Sequence, residues 1–319
     1  MNHVRFQEKT VFAIFKGLQA WSLVLAVALI LSGGTVYGEE TTTAPASVPV
    51  KKDLGEIGAK LSNPASDVWA IFTEFSLNFS DGDLNEGSPE IGGRMIIEPV
   101  LPFPLYGEGN DEWRLITRPT LPVLFSQPVP TGFDEFNNLG GLGDMQIPMV
   151  VVPAKRITGN WAFGLGPTWL IPTATRDEFG QEQWGVGPAV FTGYSTKKWL
   201  AGALLQYSWG IGGWNGDDKP DASYGSLLYY FYLNLADSWQ VGMGPTITYN
   251  DKASSGNKWN VPVGLTVAKT VQFGNVPVKF ELGAEYSVVS QDDFGQRFQI
   301  KLDVIPVIPG LVQNPIFGK

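Results

Sequence analysis

Cysteine is absent from this 319-residue chain, and the only histidine is His3. Without cysteine there is no disulfide framework, no thiol nucleophile and no lipidated N-terminal cysteine. His3 falls in a segment that reads as a removable leader, so the mature chain is expected to lack histidine too. That excludes Ser–His–Asp triads, Cys–His pairs and His/Cys metal sites. Charge is also scarce: Asp, Glu, Lys and Arg make up 17% of residues. Acids outnumber bases 31 to 22, giving a formal net charge of −9. The basic excess that neutralises phosphates is missing, so no nucleic-acid partner is expected. After the leader no stretch reaches the roughly 18 apolar residues of a spanning helix. Nor is there a P-loop or dinucleotide fingerprint, and no cofactor is called for. What is present is aromatic and small: 13% Phe, Trp and Tyr, with 38 glycines. That is too aromatic and too weakly charged for a disordered chain. Carboxylate chemistry, binding and transport remain.

The first 38 residues read as a signal peptide. Arg5, Lys9 and Lys16 precede the apolar run Trp21 to Leu31, and the small-residue stretch Ser32 to Gly38 follows. Charged, apolar and small regions in that order mark a secretory leader, and this apolar core is well short of the roughly 20 residues a membrane helix needs. Residues 39–66 read as a periplasmic linker. The part 39–52 is rich in Thr, Ala and Pro, and 53–66 has room for one short helix before Asn63-Pro64.

Residues 67–319 alternate with a period of two. Phe280, Leu282, Ala284, Tyr286 and Val288 alternate with Lys279, Glu281, Gly283, Glu285 and Ser287. Phe298, Ile300, Leu302 and Val304 oppose Arg297, Gln299, Lys301 and Asp303. Such alternation gives a strand one apolar and one polar face. Similar segments at 68–79, 91–101, 112–124, 142–153, 160–171, 183–194, 199–210, 223–233, 238–249, 258–268, 277–288 and 296–305 predict about twelve strands, each close to the roughly 9–11 residues of a tilted barrel wall. Long acidic connections (80–90, 125–139, 172–182, 211–222, 250–257, 289–295) alternate with mostly shorter ones. The fold class predicted is all-β: a transmembrane, antiparallel, up-and-down β-barrel with both ends in the periplasm and the acidic loops outside. Trp69, Trp113, Trp161, Trp199 and Trp239 open strands rising from the periplasm, and Trp184, Trp209 and Trp259 sit at outer ends. Together they are candidates for two aromatic girdles at the lipid–water boundaries. Pro119, Pro148, Pro167, Pro188 and Pro245 argue against this, because a proline inside a paired strand removes a ladder donor.

Several segments together carry a resemblance: Leu61-Ser-Asn-Pro64, Trp113 to Pro122, Gly141 to Gln146, Gly164 to Thr175, Trp184 to Pro188, Gly216 to Asp221, Trp259 to Gly264 and Arg297 to Ile300. In them the chain resembles the bacterial outer-membrane transporter family often misnamed neuromedin U, related to barrels attached to phenol meta-pathway degradation. The resemblance runs from about Leu61 to Ile305. It implies an outer-membrane barrel with a transport role and no catalytic residues. The tail Pro306 to Lys319 departs from the family, whose members stop soon after the last strand.

Charge facing lipid is costly, so Arg94, Glu98, Arg114, Arg118, Lys279, Glu281, Glu285, Arg297, Lys301 and Asp303 are expected to face the lumen. They would either filter solutes or pair across strands and fill the interior. Glu281 and Glu285, four apart on a strand, stand roughly 13 Å apart, too far to share a substrate bond. Asp144 and Gln146 read as lumen or turn residues. The loop Asp81-Gly-Asp83-Leu-Asn85-Glu86 starts like a calcium loop but lacks its glycine and distal glutamate. Loose divalent-cation binding there and at Asp217-Asp218 is an alternative to plainly solvated loops. The expected function is a channel passing small molecules, hydrophobic or aromatic ones among them, by passive diffusion. Outer-membrane lipid and lipopolysaccharide are the expected partners, and a non-conducting structural or surface-interaction barrel is the alternative.

Overall fold

The structure is a computed structural model that describes residues 53–154, 160–213 and 221–318. The expected signal peptide 1–38, the stretch 39–52 and Asp217-Asp218 lie outside the described residues.

The strands are β1 (Ala70–Asp81), β2 (Glu90–Tyr106), β3 (Trp113–Thr117), β4 (Leu121–Gly132), β5 (Glu135–Leu142), β6 (Met145–Pro153), β7 (Trp161–Ile171) and β8 (Gln183–Ser195). They continue with β9 (Trp199–Gly213), β10 (Ser223–Asn234), β11 (Trp239–Met243), β12 (Thr246–Asn250), β13 (Trp259–Phe273), β14 (Val276–Val289) and β15 (Gly295–Pro306). All pair antiparallel in one sheet, and β1 bonds both β15 and β2, which closes it. Three pairs each act as one wall strand with an interruption. β3 and β4 both lie on β2, β5 and β6 lie on β4 and β3, and β11 and β12 lie between β10 and β13. Counting each pair once gives a closed barrel of twelve wall strands.

The interruptions explain the prolines. Pro119 and Pro245 sit in two of the gaps, where no ladder donor is needed. Pro167 and Pro188 lie opposite each other across β7 and β8, so the two missing donors share one rung. Pro148 still accepts a hydrogen bond from the Arg118 amide (3.2 Å).

Side-chain alternation runs opposite to that of a soluble sheet. Along β14, Lys279, Glu281, Glu285 and Ser287 are buried, while Phe280, Leu282, Tyr286 and Val288 are exposed. Glu281 is 3% exposed and its neighbour Leu282 61%. A wall that turns its apolar side chains outward is stable only against hydrocarbon, where an outward Lys or Arg would cost about 2–4 kcal/mol at mid-depth.

Three differences from the sequence reading follow. First, the loop expected at 125–139 is mostly strand: β4 and β5 continue to a tight turn at Phe133-Asp134, because Val129 and Phe136 prolong the alternation on both arms. Second, the short helix expected within 53–66 forms but does not stand apart from the barrel. Helix α1 (Leu54–Leu61), braced by Lys60 and Glu56 (3.7 Å), ends before Asn63-Pro64, where proline cannot continue it. It packs against β13, β14 and β10 at the end of the barrel where the described chain begins and ends, here called the lower end. Third, Trp69 does not share the exposure of the other girdle candidates. Trp113, Trp161 and Trp239 at the lower end and Trp184, Trp209 and Trp259 at the upper end are exposed. Trp199 is half-buried between Tyr194 (4.8 Å) and Phe231 (6.0 Å). Trp69 is buried because the chain beyond β15 returns across it: Ile308 donates to the Trp69 carbonyl (2.9 Å) and Gly310 lies on the indole.

Candidate functional site

The barrel encloses two unlike walls. The charged one spans β14, β15, β1 and β2. Strand register places Glu281 beside Asp303 and Asp303 beside Glu74, a row of three carboxylates. Like charges side by side are unfavourable, and the neighbouring rows answer them. One row holds Lys301, with Ser76 and then Arg94 beside it. Lys301 Nζ lies 2.6 Å from Glu285 Oε1 and 3.7 Å from Glu74 Oε2. Gly283 faces Lys301 across the ladder, and a Cβ there would come within 3.3 Å of the lysine stem. Glu74 also accepts from Gln299 Nε2 (2.9 Å) and pairs with Arg94 (3.6 Å), whose Nε donates to Ser76 (3.2 Å). On the other side of the carboxylate row, Lys279 is fully buried. It pairs with Glu281, donates to Ser62 and lies over the Tyr232 ring (4.8 Å). Tyr232 Oη donates to Glu281 Oε2 (3.0 Å). Asp303, 1% exposed, keeps one carboxylate oxygen without a hydrogen-bond partner among the described residues. Four buried carboxylates thus face two buried lysines and the partly exposed Arg94.

The opposite wall is apolar: Ile116, Val150, Val152, Ala162, Phe191, Leu200, Leu204 and Tyr230 form one buried cluster on β3 and β6–β10. Arg118, at the gap between β3 and β4, is the charge set into it. Its Nη2 donates to Glu98, which also accepts from Thr120 (2.7 Å), and its Nε has no partner among the described residues. Beside it lies a cavity of about 10 Å³, room for one water, lined by Pro64, Ala65, Ile116, Arg118, Pro148, Val150, Phe191 and Leu204.

Between the walls, at the lower end, lies the segment after α1. Ser62 Oγ hydrogen-bonds Gln240 Oε1 (3.1 Å), and Asn63 Oδ1 accepts from Tyr230 (3.4 Å). Pro64 and Ala65 face the apolar wall. Gly58 abuts Thr270, where a Cβ would come within 2.4 Å of Oγ1, so only glycine allows α1 this close. Asp67 ties the segment to the rim through Arg114 (3.3 Å) and Lys60 (3.2 Å), and Arg114 grips Glu112 with two bonds (2.7 and 2.8 Å).

Of the charged residues singled out in the sequence, Lys279, Glu281, Glu285, Lys301 and Asp303 come together with Arg94. Glu98 and Arg118 form a separate pair, and Arg114 belongs to the lower rim. Arg297 is half-buried where β15 slips register against β1. Glu74, Ser62 and the apolar wall escaped sequence reasoning, whereas the alternation places Gln299 on the polar face without singling it out for the site. Glu74 carries the same alternation signal as Glu281 and was legible in principle. In the upper loops, Asp144 receives the amides of Ala174 (3.1 Å) and Gln181 (2.6 Å) and fixes the connection after β7. Asp81 is engaged by Gly82 (2.9 Å) and Asn85 (3.0 Å). Hydrogen bonds from Tyr249 and Lys258 hold the Asp251 carboxyl below the usual carboxylate range. Among the described residues no three carboxylates converge as a metal site.

No protein-family model and no curated protein matches the chain. Among solved structures it is similar to an outer membrane channel from Pseudomonas putida F1, with TM-score 0.52 and 14% identity over 77% of this chain and 98% of that one. The NanC porin aligns with TM-score 0.43 and 10% identity over 74% and 99% of the two chains. The Pseudomonas putida toluene transporter TodX aligns with TM-score 0.36 and 10% identity over 78% and 92%. In fold, this chain is a closed twelve-stranded barrel of the outer-membrane type.

Proposed function

We propose that the chain is an outer-membrane channel through which small hydrophobic or aromatic molecules diffuse passively. The lower end would face the periplasm of a Gram-negative cell, and the acidic loops would lie outside among lipopolysaccharide. The observation that carries this reading is the apolar inner wall of Ile116, Val150, Phe191 and Leu204 set opposite a charged one. The likeness to the Pseudomonas putida outer membrane channel and the sequence resemblance to a transporter family support it.

The test is reconstitution. Proteoliposomes should take up a small aromatic solute faster than lipid alone, and planar bilayers should show discrete current steps. Glu281→Ala and Glu285→Ala should shift ion selectivity toward anions, because each removes a negative charge from the enclosed face. A second reading, a non-conducting structural or surface-interaction barrel, is favoured by the segment Ser62–Ser66 lying between the walls. Silent bilayers at all voltages and no uptake, both for the native chain and for one lacking residues 54–66, would establish that reading instead.

A further inference from the structure

Beyond Pro306 the chain stays on the barrel. Val307 bridges to Ala70, and the Ile308 amide donates to the Trp69 carbonyl (2.9 Å). Gly310 lies against the Trp69 indole, where a Cβ would come within 3.4 Å of Cδ1. Farther on, the Ile316 and Phe317 amides donate to the carbonyls of Pro104 (3.1 Å) and Leu105 (2.8 Å). These acceptors belong to the lower end of β2, which overhangs its neighbour, because β1 pairs with β2 only from Ala70 opposite Val100 upward. The tail therefore occupies an edge that the shorter β1 leaves open. It also covers Trp69, which packs edge-on against Phe103 (5.1 Å).

Sealing that edge leaves the tail's own apolar side chains turned away from the barrel: Leu311 is 76% exposed, Ile316 54% and Phe317 77%. Ile316 and Phe317 lie at the end of β2 that carries the exposed, stacked pair Tyr106–Trp113 (6.1 Å), since the Phe317 amide is bonded to the residue next to Tyr106. The tail's apolar surface is thus continuous with the barrel's outer band, at the level where amphipathic rings gather.

We propose that residues 307–318 form an interfacial strap, with Leu311, Ile316 and Phe317 seated at the boundary between lipid headgroups and acyl chains on the barrel's lower rim. The occupant of this surface is lipid. The main-chain bonds fix the strap before any partner arrives, and its apolar side chains prolong a surface that already faces hydrocarbon. The inference rests on the membrane orientation of the outer face and not on solute passage.

The absence of cysteine makes the test clean, because a single introduced cysteine is the only site a thiol spin label can take. Leu311→Cys and Phe317→Cys, labelled in proteoliposomes, are compared with Leu282→Cys on the outer wall and Ser255→Cys in an upper loop. Electron paramagnetic resonance saturation then reads collision with oxygen, which concentrates in lipid, against a nickel chelate, which stays in water. The oxygen-to-nickel ratio at both tail positions should exceed that of Ser255→Cys several-fold and fall below that of Leu282→Cys. A ratio equal to that of Ser255→Cys would place the strap in water and overturn the proposal. An immobilised label shielded from both reagents would mean that a second copy of the chain covers it, which overturns it as well. Faster migration of unheated samples on gels confirms that each variant is folded, and two positions keep the outcome decidable should one label disturb the tail.

Discussion

Lys301 holds the charged wall in balance. It stands between Glu285 and Glu74, and Asp303, two residues on, lies on the same inner face. A buried ion pair adds little net stability over an apolar core, but removing one partner strands the other. Lys301→Met is expected to destabilise the barrel by about 3–5 kcal/mol, read from urea unfolding in lipid vesicles. Joint replacement of Lys301 and Glu285 by apolar residues should cost less than the single change, because it strands fewer carboxylates. This wall was legible in the sequence. In β14 and β15 charged, polar or small residues hold every second position, and the residues between are apolar. The apolar wall was not legible: Leu200, Gly202 and Leu204 alternate with Ala201, Ala203 and Leu205, so both faces of β9 are apolar and no period shows. The bond between Ser62 and Gln240 was equally hidden, because it joins residues 178 apart.

The interrupted strands and the lower helix belong to the next scale up. Glycine and proline at 119, 143 and 244–245 cut three wall strands while keeping them in one ladder. Prolines that contradict a continuous strand are compatible with a broken one, a distinction that alternation alone does not make. The short helix before Asn63-Pro64 could be read from the proline stop. Its place in the barrel mouth could not, because that depends on Thr270, Gln240 and Lys279, contributed by distant strands. The segment is held by few polar contacts, and its loss should be modest. Ser62→Val removes the partner of Gln240 and one partner of Lys279, with an expected cost of about 1–3 kcal/mol in the same unfolding assay. In bilayers, deletion of residues 54–66 should raise conductance above that of the native chain.

At the level of the whole molecule, strand number and direction were readable because connections alternate in length and the apolar face recurs. The extent of the tail was not, since it gains its order from bonds to Trp69 and β2 far along the chain, and the hairpin of β4 and β5 was masked by its Gln, Pro, Asn and Gly residues. A closed barrel with an apolar exterior should migrate faster on gels before heating than after, and the purified chain should precipitate when detergent is removed without lipid. A chain ending at Val289 should show neither the fast-migrating form nor protection from protease in vesicles.

That last expectation follows from the seam. Thr73 pairs with Val304, so the earliest wall segment completes its hydrogen bonding only with the latest. Lipid offers no substitute partner for a free strand edge. Every version of the chain that stops before β15 therefore presents hydrocarbon with bare amides and carbonyls. Insertion must proceed with that gap shielded by something other than the chain itself, until β15 pairs with β1 and ends the need for it.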